Sequence, residues 1–439
     1  MRIAVTTLVL ALVSTVAAAP AASAHGLTAV VFVHGQQGSA QQWQSNAKRF
    51  SGNGYPDHLL HAYEYDTTVP TNDRAVADLD AFLAGVRART GSSTVDVIAH
   101  SRGTAVMQAF LSTPARAAVV RKYVNVDGRS STALPGGVPT LALWGSAQPN
   151  GSIGGATNVY LTTLGHTETT TSAEGFAHIH RFLRGRPAVT THVVPEPPGR
   201  VEIAGRALYF PQNAGIVAEL RVWELDGRTG ARLGDARHSV RTGSDGSFGL
   251  LRVNGRKHYE LELVREGQQP HHFYFEPFER SDRFVRLQVS RPGGIGDVVD
   301  RCATHTALTV VRNREWWSDQ PDRDRLEFNG VDVLAPPVAP KVRQVIAAFA
   351  FDDHCDRAAT PGVVLPPFAT LPFLTGVDAY LPAQADAGGT IHVTQTARGT
   401  GGRTRTIAVP NWPSDGHGVT VHFNDYLAGG TGGHATASP

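Results

Sequence analysis

Between residues 27 and 185, short β-rich apolar runs alternate with longer stretches in which apolar residues recur at helical spacing. The runs are 28–33, 58–65, 94–99, 121–126, 140–144 and 158–163. Between them, Ala75–Arg89 sets Val76, Leu79, Leu83 and Val86 on one helical face, and Phe176, Ile179, Phe182 and Leu183 do the same in the last helix. Six strands alternating with helices predict a mostly parallel sheet with helical crossovers over residues 25–188. The pattern breaks at Pro187-Ala188-Val189, and Pro195-Glu196-Pro197-Pro198-Gly199 within 189–200 reads as a stiff linker. From Val201 onward apolar and polar residues alternate, as in Ala218 to Trp223, between turns such as Asp226-Gly227 and Ser244-Asp245-Gly246. This half is all-β, a sandwich or barrel-like region. Residues 201–290 hold enough strands for a small β-sandwich, Arg291-Pro292-Gly293-Gly294 interrupts, and a second β-rich unit spans 291–427. One composite β domain and two small ones both fit. The Gly-, Thr- and Ala-rich tail, 428–439, reads as disordered.

The first residues change the picture of where the chain works. Met1-Arg2, an apolar stretch and Ala22-Ser23-Ala24 have the layout of a secretory signal peptide, residues 1–24, which predicts a secreted, extracellular chain starting near His25 with no transmembrane segment. About 415 residues then remain, more than one domain usually holds. With 40 basic and 38 acidic residues, charge offers no argument for nucleic acid. The chain has two cysteines, Cys302 and Cys355. In an oxidising compartment they predict a disulfide worth about 3 to 4 kcal/mol, whereas the absence of C-x-x-C spacing makes them poor zinc ligands despite His305 and His354 nearby.

Candidate chemistry begins at Ala99-His100-Ser101-Arg102-Gly103, directly after the run 94–98. A serine between small residues, where a strand turns into a helix, reads as the nucleophile elbow of an α/β hydrolase. Acyl transfer by serine needs a base, an acid that orients the base, and donors aimed at the developing oxyanion. In this fold the chain order is Ser, acid, His. His166 leaves the last predicted strand and is the candidate base; His178 and His180 fall in the next helix and read as its surface. After the strand 140–144 comes Gly145-Ser146-Ala147-Gln148, which has no carboxylate, but one strand earlier the run ends in Asp127-Gly128, making Asp127 the candidate acid. Asp96 is set aside because it lies inside the strand that leads to Ser101. His34-Gly35 after the first strand has the form of an oxyanion loop, with the backbone N–H groups of Gln36 and Arg102 as donors. This chemistry requires no metal and no cofactor.

These motifs resemble the minimal bacterial lipases, which also carry alanine at the first elbow position. In overall layout the chain resembles a two-domain archaeal lipase family with a β-rich C-terminal domain, a likeness carried also by Gly52-Asn53-Gly54-Tyr55-Pro56 and Tyr63-Glu64-Tyr65-Asp66. The resemblance implies Ser101, Asp127 and His166 as a triad, Gln36 and Arg102 as oxyanion donors, and long-chain acyl esters such as triacylglycerols as substrates. Polar Gln36 departs from the apolar residue usual there. Two other readings stand beside a lipase or carboxylesterase. One is a polyester hydrolase whose C-terminal β domains bind the insoluble polymer through Trp316, Trp317, Phe273, Tyr274, Phe275 and Trp412, residues that as strand aromatics equally suit a core. The other is a lipid-binding protein with a degenerate hydrolase domain. An ester lipid or other water-insoluble ester is the expected partner, with interfacial binding through the β region, and 66–72 or 148–157 is the expected lid.

Overall fold

Why β1 (Ala29–Val33) is buried at all five positions follows from its place in the sheet. It lies second in a six-stranded parallel sheet with β2 (Leu60–Tyr63), β3 (Val95–His100), β4 (Val120–Val126), β5 (Thr140–Trp144) and β6 (Thr157–Tyr160), in the order β2-β1-β3-β4-β5-β6. A parallel strand covered by helices on both faces must be apolar throughout. The chain crosses over between β1 and β3, and at such a switch point the loops leaving the strand ends part to form a crevice. The computed structural model describes residues 27–426; the expected leader, 1–24, and the expected tail, 428–439, lie outside the described residues.

Helices α1 (Gln44–Gly52), α2 (Asp73–Thr90), α3 (Arg102–Leu111), α4 (Pro114–Ala117), α5 (Glu168–Thr171) and α6 (Ala173–Arg184) flank the sheet. Helix α2 extends the expected 75–89 at both ends and stops at Gly91, whose φ of +68° is the left-handed cap that glycine adopts without strain. Helix α1 has no apolar periodicity to announce it, because its buried residues are Ser45, Asn46, Lys48, Arg49 and Phe50. The polar ends of Asn46, Lys48 and Arg49 are met by distant segments. Asn46 Nδ2 donates to Thr170 O at 2.7 Å, Arg49 Nε to Thr191 O at 2.8 Å, and Lys48 Nζ pairs with Asp282 at 2.8 Å.

β7 (Val201–Phe210) opens the second half with alternating burial, in a sheet ordered Ser247–Val253, β7, Asp282–Ser290. The main sheet there has eight strands and runs His238–Arg241, Glu219–Leu225, His258–Val264, His271–Phe275, Gly418–His422, Leu308–Val311, Ala347–Phe351, Leu374–Asp378. His271–Phe275 pairs in parallel with Gly418–His422, which in turn pairs with Leu308–Val311, so the segments before and after residue 290 share one sheet. They do not share one core. Ile203, Leu261 and Val285 fill the core under β7. Val310, Leu326, Val393 and Val421 fill a second core beneath a four-stranded sheet of Val331–Asp332, Arg325–Phe328, Thr390–Thr396 and Thr404–Pro410. Cys302 and Cys355 form a disulfide. Trp316, Trp317, Phe273, Tyr274 and Phe275 are buried, and Trp412 is stacked on His272 with its Nε1 donating to Tyr274 Oη at 2.8 Å. Five of the six are therefore core residues, and Trp412 is half-buried.

The two halves meet through buried charge. Glu64, at the end of β2, receives Arg286 Nε at 2.7 Å and Arg206 Nη1 at 2.9 Å, and its Oε1 also accepts the N–H of Ala40. Among the described residues no helix is long and apolar enough to cross a membrane.

Candidate active site

Ser101 sits between β3 and α3 with φ 51° and ψ −123°, a conformation that a side-chain-bearing residue adopts only when its surroundings enforce it. Two glycines explain how the turn is packed. A Cβ on Gly103 would meet the backbone oxygens of Val33 and His34, and one on Gly35 would come within 2.9 Å of Ser101 Cβ. The oxyanion-type loop therefore lies directly against the elbow. Thr104 locks the first turn of α3, its Oγ1 donating to Ser101 O at 2.7 Å and accepting the N–H of Arg129 at 2.7 Å.

Asp127 follows β4, is buried, and has φ 42°, a second strained non-glycine position. Its Oδ2 lies 2.7 Å from His166 Nδ1. Its Oδ1 accepts the N–H groups of Gly145 at 2.8 Å and Gln148 at 3.1 Å. The segment after β5 that has no carboxylate thus supplies the donors that fix one. With Nδ1 facing Asp127, the His166 ring leaves Nε2 as the nitrogen available to a hydroxyl. Ser101 and His166 line the same cavity.

His100 is a neutral spacer. Its Nε2 donates to His166 O at 3.0 Å, its Nδ1 accepts from Gln42 Nε2 at 3.0 Å, and burial holds its pKa well below the usual histidine value. His34 shapes the loop it belongs to. Stacked on Tyr65 at 4.4 Å, it donates from Nδ1 to Gly35 O and accepts the N–H of Tyr65 at Nε2, and burial brings its pKa down to about 4. His180, expected on the helix surface, is instead buried against Phe50 and Phe176. Asp96 pairs with Arg121, remote in role from the site.

In the loop 35–38, Gly35 N–H points to Gln42 Oε1, Gln37 N–H to Thr67 Oγ1 and Gly38 N–H to Gly35 O, which leaves Gln36 N–H as the loop donor without such a use. Arg102 heads α3, where helix N–H groups lack helical acceptors. The side chains of these two residues are tied to each other, Arg102 Nη1 donating to Gln36 Oε1 at 2.7 Å. The remaining guanidinium donors reach Thr67 O, Val69 O, Thr71 O and Asn72 Oδ1. Arg102 thereby fastens the segment 66–72, and Gln36 is polar because it joins that fastening. Asn158, just past the segment 148–157, accepts the N–H of Ile153 and donates to Ile153 O and Ala156 O.

The loop bearing His166 is held from the other half of the chain. Glu315, fully buried, accepts the N–H groups of Thr167 and Glu168, the latter at 3.1 Å. Glu168 in turn pairs with Arg314 at 2.6 Å and Arg398 at 2.5 Å. Burial alone would raise the Glu168 pKa, but the two guanidiniums hold it below the usual value; burial and then the Glu168 charge push that of Glu315 up. No local pattern marks Glu315, which is distant in sequence from the loop it holds. Glu315→Ala is expected to lower kcat on a soluble ester by about 100-fold, the scale set by a misplaced catalytic group, with partial recovery in Glu315→Gln, which keeps an acceptor oxygen. An unchanged kcat in Glu315→Ala would remove this residue from the account.

The cavity measures about 400 Å³, within the range of small-molecule sites. Most of its wall comes from the β region, including Phe210, Val289, Ile295, Val311, Phe349 and Leu374. The arrangement suits an ester whose carbonyl lies at Ser101 and whose apolar part runs along these side chains.

Comparison with known proteins adds family information to this geometry. Residues 28–115 match the family model for class 2 lipases, residues 199–292 that for the lipase C-terminal domain, and residues 294–427 a further C-terminal domain family. A comparison with curated protein sequences found no significant match. Among solved structures, lipase B of Aspergillus fumigatus aligns at 14% identity over 37% of this chain and 54% of its own, with a TM-score of 0.30. Phospholipase PlaB of Legionella pneumophila aligns at 10% identity over 60% of this chain and 93% of its own, with a TM-score of 0.29. A Bacillus licheniformis lipase in its propeptide form aligns at 12% identity over 89% of this chain and 93% of its own, also with a TM-score of 0.29. The six-stranded parallel sheet with flanking helices is that of the α/β-hydrolase fold, and the class 2 lipase match over its first half and the lipase C-terminal match that follows make the chain similar to two-domain lipases.

Proposed function

We propose that the protein is a secreted serine lipase or carboxylesterase that hydrolyses long-chain acyl esters through Ser101, Asp127 and His166. The observation that carries this reading is the Asp127–His166 pair at 2.7 Å, with His166 lining one cavity together with a serine in the strained elbow conformation. Ser101 Oγ attacks the ester carbonyl while His166 Nε2 takes its proton, and the carbonyl oxygen gathers negative charge against the N–H groups of Gln36 and Arg102. His166 then protonates the departing alcohol, leaving the acyl group on Ser101. Water enters, gives a proton to His166 and releases the acid, and Ser101 recovers its proton. Asp127 stays ionised throughout and stabilises the imidazolium. Secretion rests on the leader-like residues 1–24 and is tested by the N-terminus of the exported protein.

The test compares p-nitrophenyl esters of increasing chain length, emulsified triacylglycerol and polyester film. Rates rising with chain length and extending to triacylglycerol are expected; activity confined to film, or absent on every ester, would reject the proposal. Asp127→Asn is expected to lower kcat by about 10⁴-fold, because the wrong histidine tautomer then faces the serine. A normal rate would reject Asp127 as the acid.

A further inference from the structure

The cavity that holds Ser101 and His166 is lined by three arginines, Arg265, Arg291 and Arg301, against one carboxylate, that of Asp297. Among the described residues none of the three guanidiniums stands in an ion pair. Arg301 Nη1 donates to the neutral Gln269 Oε1 at 2.8 Å, and Arg291 lies over the Tyr209 ring at 4.6 Å. Arg265 is half-buried, and its Nε is enclosed with no hydrogen-bond partner. Burial is the largest influence on the Arg265 cation and works against it; the Tyr209 phenol favours the cation, the Arg301 charge opposes it, and the balance is unfavourable. Among the described residues Asp297 makes no ion pair with Arg265; its Oδ2 accepts the N–H of Gly293. Arg291 and Arg301 are exposed, but a half-buried cation such as Arg265, without a counterion, gains from a ligand that supplies the charge, and guanidiniums match phosphate oxygens through paired N–H donors.

A triacylglycerol carries no charge to meet these groups. An ester with a phosphodiester does, and the adjoining apolar wall of Ile295, Val299, Phe349 and Leu374 accommodates its acyl chain. We propose that the cavity takes glycerophospholipid esters, with the phosphate against Arg265, Arg291 and Arg301 while an acyl ester is presented to Ser101. This inference rests on the ester-hydrolase reading and narrows it to a substrate class.

Short-chain substrates kept below their micellar concentrations remove the charge of an interface from the comparison. The full-length protein is assayed on dihexanoyl phosphatidylglycerol, dihexanoylglycerol and p-nitrophenyl hexanoate, beside the variants Arg265→Gln and Arg291→Gln. The expected result is a kcat/KM about tenfold or more higher on the phospholipid than on the diacylglycerol, the scale of a charge-assisted hydrogen bond, with this ratio falling toward one in both variants. Because the readout is a ratio within each variant, a general loss from misfolding leaves it unmoved. A wild-type ratio of one or less, or a high ratio that neither variant lowers, overturns the phosphate subsite, while hydrolysis of the p-nitrophenyl ester keeps the serine-hydrolase reading standing. If no ester is hydrolysed, glycerol 3-phosphate and inorganic phosphate are titrated separately into the Ser101→Ala protein. Binding of glycerol 3-phosphate that Arg265→Gln weakens supports the subsite; no binding overturns it, and equal binding of inorganic phosphate overturns its assignment to a lipid headgroup.

Discussion

Ser101→Ala is expected to lower kcat for ester hydrolysis on the order of a millionfold while leaving the urea midpoint of unfolding within experimental error of the wild type. The loss follows from the acyl-enzyme route, which needs the Ser101 hydroxyl as the group that is acylated. The retained stability follows from what holds the elbow. The contacts that fix it are made by the Ser101 carbonyl, which accepts the N–H of Thr104 at 2.9 Å and its Oγ1 at 2.7 Å, and by the N–H of Ser101, which donates to Val126 O at 3.1 Å. All three survive removal of the side-chain oxygen. His166→Ala is expected to have a similar kinetic effect, because members of a triad act as a unit and removing one costs nearly as much as removing all. Rates are measured on p-nitrophenyl butyrate with active-site titration of the wild type. Retention of more than about 1% of kcat in Ser101→Ala would transfer the nucleophile elsewhere, since binding and oxyanion donors alone account for far less of the rate.

Glu64→Gln is expected to be the most destabilising of the conservative substitutions at the junction of the two halves, by about 3 kcal/mol at neutral pH, because it leaves the buried Arg286 and the half-buried Arg206 facing a neutral amide. Burial alone would raise the Glu64 pKa, but Arg286 and then Arg206 overcome it and bring the value down to about 2. The sign of the pH dependence follows. A carboxylate with a folded-state pKa below its unfolded value binds protons more readily when the chain is unfolded, so its contribution is complete above about pH 4.5 and disappears as pH falls toward 2. Urea unfolding followed from pH 7 to pH 2 is expected to show a loss of about 3 kcal/mol in that acid window that is absent from Glu64→Gln. A wild-type and a variant with parallel pH profiles would show that Glu64 carries no such linkage. The same salt cluster fixes the β region against the sheet edge, so the variant is also expected to unfold in two steps where the wild type unfolds in one.

Much of the proposed catalytic layout is legible in the chain itself, for a local reason. A strand that ends in a strained turn must carry small residues around its exposed side chain, and Ala99 and Gly103 around Ser101 announce such a turn. Asp127-Gly128 at the end of β4 announces another. Strand β5 matches its expected extent, 140–144, because its apolar run is bounded by turn residues on both sides. The expected run 58–65 shortens to Leu60–Tyr63 because Pro56 leads instead into a short 3₁₀ turn, Asp57–Leu59. Helix α1 leaves no apolar signature because most of the residues it buries are polar, and polar residues can be buried only where distant partners wait for them.

By itself, the sequence determined the order of strands and helices in the first half, the all-β character of the second, and that a serine and an aspartate stand at strand ends with a histidine in the loop beyond the last strand, Thr157–Tyr160. Each of these is set by contacts between near neighbours and by the period at which apolar residues recur. Only the tertiary structure decided that His166 meets Asp127 at 2.7 Å, that Glu315 holds the histidine loop, that the segments before and after residue 290 share a sheet, and that three arginines with no ion pair among the described residues line the cavity of Ser101 and His166. Those arrangements join residues tens to hundreds of positions apart. They are fixed by the global packing of two halves, in which a buried charge or an enclosed donor finds its partner only after the chain has closed around it.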